Sequence, residues 1–323
     1  MRVGILCISQ KENYGAKLLA WALQEKVREL LPEADAVGII VNENHEEKRI
    51  LDGVSKWKSP VALFQSGRRF AVEQKKKLVN RMAQALHNEA LTATRKQRFD
   101  CFEQEYISIL GFTDSPAEFQ TLAETLDIII VGSDIVFRPE YARLFPEVYF
   151  LGCLENTDKN IRKVAYAAAI ATDKAELLQP LTGAYQAGIN RFDFLSVREK
   201  SAQVFLQPLT EKEIVHCCDP VLLCRAEDFA FAPVISDEAY IYVNLLDKKK
   251  NAVQYVRRLA VEKNLPIRYF SDVNRFNEDN AEDVYSDGPL EFIDQVRNAA
   301  YVVTNSFQPP FSPSCFISRL WRF

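Results

Sequence analysis

The chain has 323 residues, 48% hydrophobic and 26% charged, with a net charge of −4. Such a length accommodates two domains of common size, and the composition is that of an ordinary globular protein. The acidic balance excludes a nucleic-acid binder that works by general phosphate neutralisation, but it leaves room for a local basic pocket around a small anion.

The opening MRVGILCIS is too short to span a membrane and has no small-residue cleavage site, so no signal peptide is expected. No apolar stretch approaches about 18 residues, so no integral membrane segment is expected. The seven cysteines are scattered and form no CxxC pair, which fits reduced thiols in a cytoplasmic protein. Cys217 and Cys218 adjoin His216, but adjacent thiols leave a strand on opposite faces and no second ligand pair exists. No metal centre is expected there.

In chain order, RVGILCIS (2–9) reads as a buried strand. Leu18, Leu19, Ala22, Leu23 and Val27 recur at helical spacing, so 14–31 is an amphipathic helix, entered through Asn13, Tyr14 and Gly15. AVGIIV (36–41) is the next strand, and this strand-helix-strand order predicts a parallel sheet. From about 44 to 106 the chain turns charge-dense with sparse apolar anchors and is read as one or two helices with solvated faces. LDIIIVGSD (126–134) is a strand running into a Gly132-Ser133-Asp134 turn. KVAYAAAIA (163–171) is a strand ending in small residues, DFLSVREKSAQVFL (193–206) a strand, turn and helix, and IVHCCDPVLL (214–223) a strand closed by Asp-Pro. After a connector at 227–239 a second unit follows: strand YIYVNLL, helix NAVQYVRRLAVEKN, strand PIRYFS, helix PLEFIDQVRNA and strand YVVTNSF. The expected domains are 1–228 and 229–323.

Ligands of open α/β sheets bind at the carboxyl ends of the strands. Those ends carry Asn13-Tyr14-Gly15, Gly132-Ser133-Asp134, Ala167–Ala169, Arg198-Glu199, Asp219-Pro220 and Asn305-Ser306. Arg198 stands directly after a buried strand and before a helix. Such an arginine either is capped by a nearby carboxylate or reads a ligand carboxylate or phosphate.

Taken in order, NYGAKLLAWALQ, IIIVGSDIVF, YAAA, LSVREKSA, the DPVLL stretch and EFIDQVRNAAYVVTNSF resemble the polysaccharide pyruvyl transferase family from residue 4 to about 307. The resemblance implies two Rossmann-like domains in a GT-B-like arrangement. It implies transfer of the enolpyruvyl unit of phosphoenolpyruvate to two hydroxyls of a glycan or lipid-linked sugar, with release of phosphate, in cell-surface polysaccharide assembly. No cofactor is implied. Arg198 matches the family's SVRE arginine and would bind the donor. Asn13, Tyr14, Gly15, Gly132, Ser133, Asp134 and Ser306 would line the substrate site. The place of work would be the cytoplasm or the inner membrane face. Other readings are a GT-B glycosyltransferase using a nucleotide sugar, and a non-catalytic remnant that binds a glycan or a partner.

The chain departs from that family at two places. Gln308 stands where the family's motif after TNSF has its acid/base histidine, and glutamine does not titrate. Ile135, Phe137 and Arg138 replace the Gln, Trp and Asn that usually follow GSD. Restoring one base in the codon of Gln308 lets the tail read SFHATVFSLLFHKPFVA, as the family does. Residues 308–323 are therefore read as out-of-frame sequence, with a truncated second domain, an inactive product and poor solubility. A genomic read across codons 304 to 323 is expected to restore a histidine and an open frame; an intact frame contradicts the deletion.

Overall fold

The computed structural model describes residues 1–8, 12–41, 89–113, 115–232, 238–245, 250–270, 276, 280–304 and 320–322. Most of the charge-dense stretch lies outside the described residues, as do Ser306, Gln308 and, apart from 320–322, the tail that was read as out of frame.

The first sheet contains β1 (Arg2–Ile8), β2 (Asp35–Val41), β3 (Ile109–Thr113), β4 (Ile128–Val131), β5 (Arg162–Ala168), β6 (Phe194–Val197) and β7 (Ile214–His216). Their order is β3-β2-β1-β4-β5-β6-β7, and every neighbouring pair is parallel. The second contains β8 (Ile241–Asn244), β9 (Ile267–Phe270), β10 (Ala281–Asp283), β11 (Tyr301–Thr304) and β12 (Leu320–Arg322). Its order is β10-β9-β8-β11-β12, also all parallel. The α/β class and the two Rossmann-like sheets are thus as expected. In each sheet the strand order reverses about the first strand, between β1 and β4 and again between β8 and β11. Where the order reverses, connections leave toward opposite faces and open a crevice at the strand ends.

Burial explains the strands. Val3 and Ile5 of β1 enter one core and Leu6 another, and β4 divides Ile129 and Val131 from Ile128 and Ile130 in the same way. Strands buried on both faces read as continuous apolar runs. Helix α1 (Tyr14–Leu30) begins at Asn13, whose side chain accepts from the Ala16 N–H at 3.2 Å. The five apolar positions read from its spacing are all buried. Helix α2 covers residues 89–106. Two differences from the sequence reading concern weak signals. The half-exposed edge strand β3 has no apolar alternation, and β10 is the triplet AED. The expected strand 214–223 ends at His216. The Asp219 carboxylate accepts from the Val221 N–H at 3.1 Å and turns Pro220–Leu223 into a short 3-10 helix.

The middle core is shared by both sheets. It holds Val3 and Ile5 from the first, Tyr242 and Val302 from the second, and Leu18, Trp21, Phe99 and Phe292 from the helices. Tyr14 stacks on Phe292 with centroids 4.3 Å apart and meets Phe99 and Phe270 edgewise or tilted. Arg95 of α2, only 3% exposed, lies 4.5–4.7 Å over the rings of Tyr14, Phe99 and Phe270. It donates to the Tyr14 hydroxyl at 2.5 Å and to the carbonyls of Tyr285, Asp287 and Glu12 at 2.9–3.1 Å. The Tyr14 hydroxyl in turn donates to the Asp287 carbonyl at 2.8 Å. A buried guanidinium needs this many acceptors, so the junction admits few other arrangements.

Asp287 takes hydrogen bonds from Gln295 and Arg98 at this junction. Burial is the main cause that lifts its carboxyl from 3.8 to about 6, with the Gln295 bond opposing and Glu291 adding to the rise. The folded chain therefore holds this proton to higher pH than the unfolded chain. Stability from this group is present at low pH and is lost as pH rises through about 6. The Tm difference between Asp287→Asn and the unmodified chain is expected to move in the variant's favour from about pH 4 to about pH 6. A constant difference contradicts it.

Candidate functional site

The carboxyl ends of β4, β5, β6 and β7 are fastened to one another by the polar residues of a single segment, Ser196 to Glu199. Strand β5 breaks its register against β6 between Ala165 and Ala168. Within that break Ala167 has φ +46°, and Ala171 just beyond has φ +60°. Left-handed backbone costs an alanine roughly 1 kcal/mol, so something must hold each residue there. The Ser196 hydroxyl accepts from the Ala167 N–H and donates to the Ala165 carbonyl, both at 3.0 Å. The Glu199 carboxylate accepts from the Ile170 and Ala171 N–H groups at 3.3 and 3.2 Å.

Between those two residues, Arg198 reaches sideways to both neighbouring strand ends. Its Nη1 donates to the Ser133 carbonyl and to Asp219 Oδ2, each at 3.0 Å. Its side chain is 8% exposed. Asp219 is the carboxylate that meets this arginine. Beside it the exposed His216 ring nitrogen lies 3.2 Å from the Arg198 carbonyl.

The Gly132-Ser133-Asp134 turn is held from the other side as well. The Ala169 N–H donates to the Asp134 carbonyl at 3.0 Å, and the Phe137 N–H to the Ala169 carbonyl at 3.1 Å. Gly132 has φ +128°, and a Cβ there would stand 2.1 Å from the Tyr166 carbonyl oxygen. Only glycine fits. Ser133 is fully buried, and its Oγ finds no hydrogen-bond partner among the described residues. Burial pushes the carboxyls of Asp134 and Asp219 upward, against the opposing pull of backbone N–H groups and Arg198. The result is a compact set of one guanidinium, two carboxyls and a hydroxyl with no partner among the described residues.

The sequence-predicted residues thus fall into groups. Gly132, Ser133, Asp134 and Arg198 stand together at the ends of β4 and β6. Asn13 caps α1 and Gly15 is half-buried beside it, at the end of β1, which pairs with β4. Tyr14 lies in the middle core with its hydroxyl bonded across to Asp287. The roles of Ser196, Glu199 and Asp219 were missed. The signal for them was polar residues of hydrogen-bonding type on either side of an arginine, and an acid just before a proline. Among the described residues no helix is long and apolar enough to cross a membrane.

Residues 13–307 match the model of the polysaccharide pyruvyl transferase family. Among curated proteins, none matches the sequence. Several solved structures match at low identity. S. aureus MnaA in its UDP co-structure is 11% identical with a TM-score of 0.46, over 95% of this chain and 74% of that one. The UDP-GlcNAc 2-epimerase from Neisseria meningitidis bound to UDP-GlcNAc is 11% identical with a TM-score of 0.47, over 95% and 78%. The E. coli heptosyltransferase WaaC with ADP-2-deoxy-2-fluoro heptose is 12% identical with a TM-score of 0.37, over 94% and 82%.

Two substitutions test this geometry. Gly132→Ala is expected to cost about 2–4 kcal/mol, from backbone strain and overpacking together. Ser196→Ala leaves the Ala167 N–H unmet and is expected to cost about 1–3 kcal/mol. Urea unfolding of both variants checks the values; no change in either places the bonds outside the stability of the fold.

Proposed function

The chain belongs to the polysaccharide pyruvyl transferase family, and we propose that it takes phosphoenolpyruvate at the carboxyl ends of its first sheet. The acceptor is a sugar of a cell-surface polysaccharide, free or lipid-linked, and the work is done in the cytoplasm or at the inner membrane face. Two domains, 1–228 and 229–323, share it. The joining of the GSD, YAAA, SVRE and DPV segments about one buried arginine carries this reading.

Phosphoenolpyruvate presents a carboxylate and a phosphate, both rich in acceptor oxygens. Arg198 supplies the positive charge that such a donor meets, and it fixes the Ser133 carbonyl so that the turn keeps its shape. The Ser133 hydroxyl, which has no partner among the described residues, would give its hydrogen to an oxygen of phosphoenolpyruvate. Asn13 and Gly15 line the neighbouring end of β1, with Ser306 contributing from beyond β11. In the transfer, two sugar hydroxyls bond to the enol carbon, one of their protons goes to the methylene carbon, and the carbon–oxygen bond to phosphate breaks, the other proton leaving with the phosphate. That sequence needs a group that moves protons near neutral pH. With Gln308 at the position of the family's histidine, this chain binds the donor and does not turn it over.

A thermal-shift titration tests the reading. Phosphoenolpyruvate is expected to raise the Tm saturably, UDP and ADP to leave it unchanged, and added sugars to release no phosphate. Stabilisation by UDP or ADP and none by phosphoenolpyruvate overturns it in favour of a nucleotide-sugar enzyme. A response to glycans alone points to a non-catalytic binding protein.

A further inference from the structure

Asn244 ends β8, and Thr304 ends β11; the two are direct register partners where the second sheet reverses its strand order. Asn244 is also the register partner of Phe270, the last residue of β9. Partners in a parallel pair leave the sheet on the same face, and so do alternate residues of one strand. Tyr242, Phe270 and Val302 all enter the middle core. Asn244 and Thr304 therefore stand on that same face, one step further toward the strand ends. Phe270 there meets the ring of Tyr14, which opens α1 just after β1. The strand ends of the second sheet thus approach those of the first.

At this place Asn244 is 5% exposed, and its Oδ1 is buried with no hydrogen-bond partner among the described residues. The two preceding positions on β8 are apolar or aromatic and fully packed. An unmet amide oxygen in such surroundings costs about 1–3 kcal/mol, and a buried polar atom left unpaired in a native fold calls for a reason. Loss of packing does not supply one, because a leucine of similar size would remove the cost.

We infer that Asn244, with Thr304 beside it, receives a hydroxyl of the acceptor sugar and helps set which sugar is taken. The inference rests on the pyruvyl-transfer reading for the name of the ligand, but its chemistry is separate. An amide oxygen accepts hydrogen bonds, and phosphoenolpyruvate near neutral pH offers almost none. A sugar ring is dense in O–H donors. The carboxyl edge of the first sheet suits the anion and that of the second suits the hydroxyl, which is the division a two-substrate transfer needs.

Isothermal titration with methyl glycosides of the common hexoses and N-acetylhexosamines, and in parallel with phosphoenolpyruvate, tests this on the full chain and on Asn244→Leu. The unmodified chain is expected to bind at least one glycoside. The variant is expected to bind it about tenfold more weakly, the weight of one hydrogen bond left unmade. Its phosphoenolpyruvate affinity and Tm are expected to hold or rise. Glycoside binding unchanged in the variant, no glycoside bound by the unmodified chain, or a variant that is markedly less stable each overturns the inference. Failure of phosphoenolpyruvate alone to bind sinks the donor reading and leaves an Asn244-dependent sugar site standing.

Discussion

A guanidinium that leaves water must be met by acceptors, and Arg198 is met by a carbonyl of one strand end and a carboxylate of another. That requirement organises the carboxyl edge of the first sheet. The strand ends of β4, β6 and β7 are drawn to one point, beyond the reach of their ladder hydrogen bonds. Ser196 and Glu199, on either side, do the same for the irregular end of β5. Two left-handed alanines and a glycine at φ +128° persist because side chains and carbonyls hold them. Strain of this sort, held by its surroundings, is what a preorganised binding edge looks like.

A second arginine does comparable work between the sheets. Arg95 and Tyr14 fill the middle core with a charge whose partners come from both halves of the chain. Tyr14 was read as a residue of the substrate site, and its position at the end of β1 is the expected one. Its ring and hydroxyl are nonetheless spent on joining α1 to the segment around Asp287. The consequence for function is placement: the two points of strand-order reversal lie on sides of the sheets that approach each other. An anion site and a hydroxyl site then need not be built in one sheet.

Much of this was legible in the residues. Continuous apolar runs gave the strands buried on both faces, and the 3.6-residue period gave α1, because burial writes both patterns directly into sequence. The weak edges did not show. The strand β3 is half-exposed, and the triplet β10 carries no apolar signal at all. The site was legible as a set of motifs at strand ends, but not as a network. Nothing local in SVRE says that its serine serves a carbonyl and an amide 29 to 31 residues earlier. Nothing local in DP says that its acid serves an arginine 21 residues before it. Asn244 was passed over because the run YIYVNLL reads as a strand throughout, and nothing in it marks its one asparagine as buried and unpaired.

On the reading proposed above, the arginine-centred edge of the first sheet receives the donor. A crystal structure with phosphoenolpyruvate bound tests it most directly. The phosphate and carboxylate are expected over Gly132, Ser133 and Asp134, with Arg198 beneath them. Phosphoenolpyruvate seated instead at the strand ends of the second sheet, against Asn244 and Thr304, would contradict it.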